Sequence, residues 1–176
     1  DCLVEDNSIY IGNDPSSTTN TAEYNIAIGE NALHNITIAD KNIAIGYNAL
    51  ASNTDGLGNV AIGYDALPLN NPSGSWTATH NTAIGMEAMK SNTTGKQNVS
   101  LGSETLKNNT TGDYNTALGY AALGDNVSGL FNTAVGNHAL RTNTNSNNTA
   151  MGNKALIFNT TGYDNVALGY QSLHNN

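Results

Sequence analysis

Asn115-Thr116-Ala117-Leu118-Gly119-Tyr120-Ala121-Ala122-Leu123 is one copy of a phrase that recurs along almost the whole chain. Other copies begin at Asn25, Asn42, Asn59, Asn81, Asn98, Asn132, Asn148 and Asn165. The glycine at the fifth place falls at Gly12, Gly29, Gly46, Gly63, Gly85, Gly102, Gly119, Gly136, Gly152 and Gly169, with spacings of 17, 17, 17, 22, 17, 17, 17, 16 and 17. So short a period leaves few folds open. Seventeen residues are too few for a helix-turn-helix repeat and cannot make a domain alone. They suit one coil of a parallel β-solenoid, which advances by about 4.8 Å per coil. Ten coils then make an all-β rod roughly 45–50 Å long.

With the leading asparagine as position 1, position 2 is Thr, Ile or Val, position 3 is Ala (Ser100 once), position 4 is a large aliphatic and position 5 is Gly. Such alternation is the period-2 pattern of a strand with two unlike faces. β-branched and aliphatic side chains at positions 2 and 4 fit a buried pleated surface. They are therefore expected inside the coil together with Leu at position 9, and the Ala/Gly face at positions 3 and 5 is expected to meet neighbouring chains. Gly-x-x-Ala-Leu reads as either a second short strand or a single helical turn. Asn-Thr-Thr-Gly, as at Asn92–Gly95, is turn chemistry.

Stacking sets like residues above one another. The position-1 asparagines Asn42, Asn59, Asn81, Asn98, Asn115, Asn132, Asn148 and Asn165 are expected to form an amide ladder, beside a column of Gly46, Gly63, Gly85, Gly102, Gly119, Gly136, Gly152 and Gly169. A second asparagine ladder is expected at position 12. Residues 1–24 read as an atypical first coil, a cap or a junction, and 25–176 as the solenoid proper. The 22-residue spacing places an inserted, protruding loop at about 68–80, with two prolines and Trp76.

Only 11% of residues are charged and mean hydropathy is −0.36, so neither charge-driven disorder nor an ordinary globular core is indicated. A net charge of −8 with six scattered basic residues argues against nucleic acid as a partner. No apolar run has membrane-spanning length, no signal peptide is visible, and Cys2 has no intrachain disulfide partner. The chain starts and stops within the repeat pattern, which reads as a segment of a longer protein.

Asn-x-Ala-Ile-Gly, at Asn42–Gly46, Asn59–Gly63 and Asn81–Gly85, resembles the head repeat of YadA-like trimeric autotransporter adhesins. The longer form with Ala-Leu and Asn-Thr-Thr-Gly is similar to repeats of bacteriophage tail fibres and related bacterial fibre proteins. The resemblance covers the chain from about Asn7 onward, although the coil here is longer than the adhesins' usual one. It implies left-handed parallel β-rolls, three chains side by side, that adhere to host surfaces or matrix. A homotrimer also has a physical motive: a 17-residue coil has a thin core, and an unbroken apolar stripe along a rod marks an interaction surface.

Candidate chemistry is sparse. Asp65, Glu87 and Glu104 hold position 7 in three consecutive coils, close enough for a carboxylate pair or Ca²⁺ oxygens. The same position carries Asn, Ala, His, Lys and Gln elsewhere, the profile of a solvated face. Of His34, His80, His138 and His174, only His34 and His174 share a repeat position, at opposite ends, so no metal cluster or cofactor site is expected. Tyr47 and Tyr64, on adjacent coils at position 6, could form one ligand-contact surface with Trp76; alternatively each tyrosine simply covers the glycine below it. Asn-x-Ser/Thr sequons at Asn35, Asn92, Asn108, Asn109, Asn126, Asn147 and Asn159 follow from composition, and Asn98, which also matches, is expected to be buried.

These observations point to a non-enzymatic structural or adhesive fibre segment, extracellular, on a cell surface or virion fibre. Its expected partners are copies of itself and a surface glycan or protein receptor, with no membrane insertion within the segment. The alternatives are an ice-binding solenoid, suggested by Thr82, Thr116, Thr133 and Thr149 at position 2, and third a polysaccharide-cleaving β-helix.

Overall fold

The structure, a computed structural model, describes residues 2–5, 7–12, 21–72 and 79–175. Every regular element among them is a strand: β1 (Cys2–Glu5), β2 (Ser8–Ile11), β3 (Ile26–Ile28), β4 (Ile43–Ile45), β5 (Val60–Ile62), β6 (Thr82–Ile84), β7 (Val99–Leu101), β8 (Thr116–Leu118), β9 (Thr133–Val135), β10 (Thr149–Met151) and β11 (Val166–Leu168). They form one eleven-stranded sheet in chain order. β1 folds back antiparallel on β2 and covers that edge of the sheet; every other neighbouring pair is parallel. The chain is a parallel β-solenoid in which each turn supplies one short rung.

Register follows the repeat. Ile43 pairs with Val60, Ala44 with Ala61 and Ile45 with Ile62. The irregular spacings do not disturb it, since Val60 pairs with Thr82 across the 22-residue step and Thr133 with Thr149 across the 16-residue step. Extra or missing residues are absorbed in the turns.

The two faces of each rung are inverted relative to the sequence expectation. Position 3 points inward: Ala27, Ala44, Ala61, Ala83, Ala117, Ala134 and Ala150 are fully buried, as are most of the position-8 alanines and the position-9 leucines. Positions 2 and 4 point outward and stay at least partly exposed: Ile26 and Ile28 at 37%, Val99 and Leu101 at 44%, and Leu168 in the last rung at 77%. Where Leu or Met at position 9 fills a 17-residue coil, the channel leaves room for only a small side chain on the facing rung, Ala or once Ser100, whereas Tyr10 takes the inward place in the first rung. Small residues therefore go inside and large ones outside.

Between rungs, Gly-x-x-Ala-Leu is neither strand nor helix but a run of turns. Its corners come from left-handed residues such as Asn48 (φ 55°) and Leu50 (φ 51°). A left-handed leucine costs on the order of 1–2 kcal/mol, and complete burial of its side chain offsets this with roughly 1.5–3 kcal/mol. At the position-5 corner the backbone turns at Gly46 (φ 129°), where an added Cβ would lie 2.5 Å from the carbonyl oxygen of Gly63. The glycine column is thus a close-packed corner and does not form a face open to neighbours.

Most of the expected loop at 68–80 stays within the coil. Pro68, Asn70 and Pro72 are buried, and the Asn71 amide donates to Thr93 O at 3.0 Å. Thr79 is buried as well. The remainder of the expected loop, 73–78 with Trp76, lies outside the described residues.

Candidate interaction surfaces

The asparagines at position 1 are buried from Asn25 to Asn148 and half-buried at Asn165. Asn25 Oδ1 accepts the Asn42 backbone amide at 2.9 Å, and Asn42 Oδ1 accepts that of Asn59 at 2.9 Å. Beyond Asn59 the same bond runs through Asn81, Asn98, Asn115, Asn132, Asn148 and Asn165. The other amide atom works within the coil: Asn42 Nδ2 donates to Gly56 O at 3.0 Å. Each rung thus needs an acceptor pointing one way and a donor the other, which Asn supplies and Asp cannot. In the first coil Ser8 Oγ takes this place, accepting the Asn25 amide at 2.9 Å.

Position 12 forms a side-chain ladder in which Nδ2 donates to the preceding Oδ1: Asn70 to Asn53 at 2.9 Å, Asn92 to Asn70 at 3.2 Å, Asn109 to Asn92 at 2.9 Å and Asn126 to Asn109 at 2.8 Å. It breaks at the 16-residue coil. There Asn143 Nδ2 turns to Asn145 O at 2.6 Å, and Asn126 Oδ1 is buried with no partner. A missing turn residue is what separates them.

The outer face of the sheet is an aliphatic stripe two side chains wide. Position 4 is aliphatic in all ten rungs from Ile11 to Leu168, and position 2 is Ile, Val or Thr. Aromatic residues flank it on both sides. Tyr47 and Tyr64 stack at 5.2 Å, with planes 14° apart, and both are exposed. On the other side, just before position 1, Tyr114 and Phe131 stack at 4.9 Å and 5°. Sequence reasoning missed this second pair, although aromatics one coil apart just before the leading Asn were the available signal.

The carboxylate column is tied up by lysines three residues on. Lys90 Nζ lies 3.2 Å from Asp65 and 2.7 Å from Glu87, and Lys107 Nζ lies 2.6 Å from Glu87 and 3.9 Å from Glu104. Hydrogen bonds from Lys107 and then Lys90 hold the Glu87 carboxyl below its ordinary value, and Glu87 in turn raises both lysines. An alternating ion-pair ladder keeps Glu87 ionised, which does not suit a general acid. No three His, Cys, Asp or Glu side chains among the described residues are grouped to hold a metal ion. His138 stands edge-on to Tyr120, and burial, with Arg141 and Lys154 nearby, lowers its basicity.

Burial sorts the sequons. Asn92, Asn98, Asn109, Asn126 and Asn159 are buried, whereas Asn35, Asn108 and Asn147 are exposed. Comparison with family models, curated proteins and solved structures yields no match to this chain.

Proposed function

We propose that this chain is a non-enzymatic fibre segment that assembles with two further copies of itself through the aliphatic stripe and is displayed on a cell or virion surface to support attachment. The stripe carries the reading. Sixteen of its twenty side chains are aliphatic. Ten of the sixteen are 37% to 77% exposed and the other six less so. At about 25 cal/mol per Å² and roughly 1.5–3 kcal/mol per full side chain, they offer roughly 400–800 Å² of apolar surface per chain. That reaches the upper end of, or passes, the ~300–600 Å² largest patches of typical monomers and approaches the ~800 Å² per partner of a standard interface.

The two columns of the stripe differ in a way that suits a three-fold arrangement. Position 4 is aliphatic without exception, as expected beside an axis where three chains converge. Position 2 admits Thr82, Thr116, Thr133 and Thr149, as expected nearer the rim. The Asn-x-Ala-Ile-Gly resemblance to trimeric adhesin heads supports the same count. The uniform coil-to-coil ladders suit a stiff spacer, and the lysine-paired carboxylates suit a solvated surface with no catalytic task.

Sedimentation equilibrium tests the assembly. The expected mass is three times 18.4 kDa. A mass of 18.4 kDa at micromolar concentration overturns it. Ice binding is the second reading, favoured by the outward threonines at position 2, but the bulky Leu101, Leu118 and Met151 at position 4 break up a flat threonine array. Thermal hysteresis in the absence of self-association would favour it.

A further inference from the structure

Positions 7 and 10 form adjacent columns along the rod, outward where they carry charge and buried at Pro68 and Ile157, and most coils place a longer or charged side chain in at least one of them: Asp65 and Pro68, Glu87 and Lys90, Glu104 and Lys107, His138 and Arg141, Lys154 and Ile157. One coil does not. It carries Ala121 and Gly124, so both columns are interrupted at the same level. The fold does not demand this. Gly124 has no left-handed backbone, and an added Cβ would come no closer than 3.1 Å to Ala121 O. At Gly46, by contrast, the Cβ would strike backbone at 2.5 Å. Ala121 sits at φ 51°, a conformation that Asn or Asp would adopt more readily.

The interruption opens a notch of about 140 Å³. Ala121 and Gly124 form its floor, and Glu104, Lys107, Asp125 and Arg141 are among its walls. Lys107 is committed to Glu87 at 2.6 Å and stands 3.9 Å from Glu104, and Asp125 accepts from the Asn108 side chain at 3.2 Å. Arg141 Nε stands 3.8 Å from Asp125, and the Tyr120 hydroxyl reaches Glu104 Oε2 at 3.4 Å. The Glu104 and Asp125 carboxylates and the Arg141 guanidinium therefore converge on one small space with hydrogen-bonding capacity to spare.

We infer that this notch binds one neutral hexopyranose unit of a surface glycan. The lining is too polar for an apolar ligand, and the space is well below the ~300–1,000 Å³ of a drug-sized site. With Lys107 already paired to Glu87, the Glu104 and Asp125 carboxylates face only Arg141, so nothing attracts an anionic sugar, and the chain as a whole carries −8. Paired sugar hydroxyls match the carboxylate acceptors and the guanidinium donor. The inference rests on the adhesive part of the proposed function and not on self-association, because no residue of the aliphatic stripe lines the notch.

The test is a glycan array followed by titration with the free monosaccharide, using the full chain and the variant Ala121→Glu/Gly124→Lys. That variant copies the Glu104/Lys107 pair of the preceding coil, so folding and sedimentation are expected to be unchanged. The wild type is expected to bind neutral pyranosides, with a dissociation constant on the order of 1 mM for a single unit. The filled variant is expected to lose at least tenfold. Arg141→Ala, which leaves the notch open, is expected to lose a similar factor. No neutral glycan bound, binding of acidic sugars only, or equal binding by the filled variant would each overturn the notch. A signal that survives filling but falls in Tyr47→Ala/Tyr64→Ala would move glycan binding to the tyrosine stack and leave the adhesive reading standing. Sedimentation of each variant reports separately on the assembly.

Discussion

Neighbouring residues of β8 offer a sharp test of which face of the rung is inside. Ala117 is fully buried and Leu118 is 41% exposed. Ala117→Leu forces three extra carbons into a channel already filled by Leu123 and its neighbours, an overpacking cost of about 1–3 kcal/mol in the fold itself. Leu118→Asp changes an outward position, where strand propensity accounts for no more than about 1 kcal/mol of monomer stability. Assembly reverses the order. Removing the unburied two-fifths of a leucine costs about 0.6–1.2 kcal/mol per chain, or about 2–4 kcal/mol per trimer. Bringing three carboxylates together near an axis adds several kcal/mol of desolvation. The total, about 5 kcal/mol or more, is roughly a 10⁴-fold loss of association. Sedimentation velocity at micromolar chain, paired with denaturant melts, reads both quantities. Leu118→Thr serves as a control, because it keeps strand propensity, adds no charge and should lose only the hydrophobic part. An Ala117→Leu protein as stable as wild type beside an unfolded Leu118→Asp monomer would refute the facing of the rung. An unchanged mass for Leu118→Asp would refute assembly through the stripe.

Asn109→Ala should cost about 2–3 kcal/mol in a denaturant melt, because it removes bonds to Asn92 and Gly112 and leaves the Asn126 amide with Gly129 O alone. Ser100 and Thr105 replace the usual buried alanines at positions 3 and 8 of one coil and bond to each other through their hydroxyls. A double-mutant cycle should show coupling of about 0.5–1.5 kcal/mol, with Ser100→Ala/Thr105→Ala at least as stable as wild type. Glu87→Gln should cost under about 1 kcal/mol at neutral pH, and less in high salt, since the pairs are partly exposed. Because the folded Glu87 carboxyl lies below its ordinary 4.5, its contribution is present above 4.5 and is lost as pH falls through the lowered value. The Lys90 and Lys107 contributions are present below 10.5 and are lost only as pH rises through values above it, so wild type and Glu87→Gln should differ by a constant amount between these limits.

Much of the architecture was legible because the repeat is redundant. Any one copy of Asn-x-Ala-x-Gly could arise by chance, but ten glycines at near-constant spacing require stacked coils, and stacking alone brings Asn42 over Asn25 and Ile62 beside Ile45. Exceptions were less readable. That Lys90 and Lys107 reach back to neutralise Asp65, Glu87 and Glu104 depends on where positions 7 and 10 project after two left-handed corners. The gap at Ala121 and Gly124 is visible as two small residues, but it becomes a space only once Glu104 and Arg141 stand on either side of it.

The amino-acid sequence by itself determined the period, the number of rungs, their register and the residue types in each column. All of these follow from periodicity, which survives any choice of orientation. Which face is buried was decided by tertiary structure alone. Alternation says that Ala117 lies opposite Thr116 and Leu118 and nothing about the side that closes into the coil. The width of the coil makes that choice. Corners at Gly119, Ala121 and Leu123 bring the chain back so tightly that one leucine fills the interior. The facing rung can then offer only a small side chain, and its large aliphatic side chains are left outward.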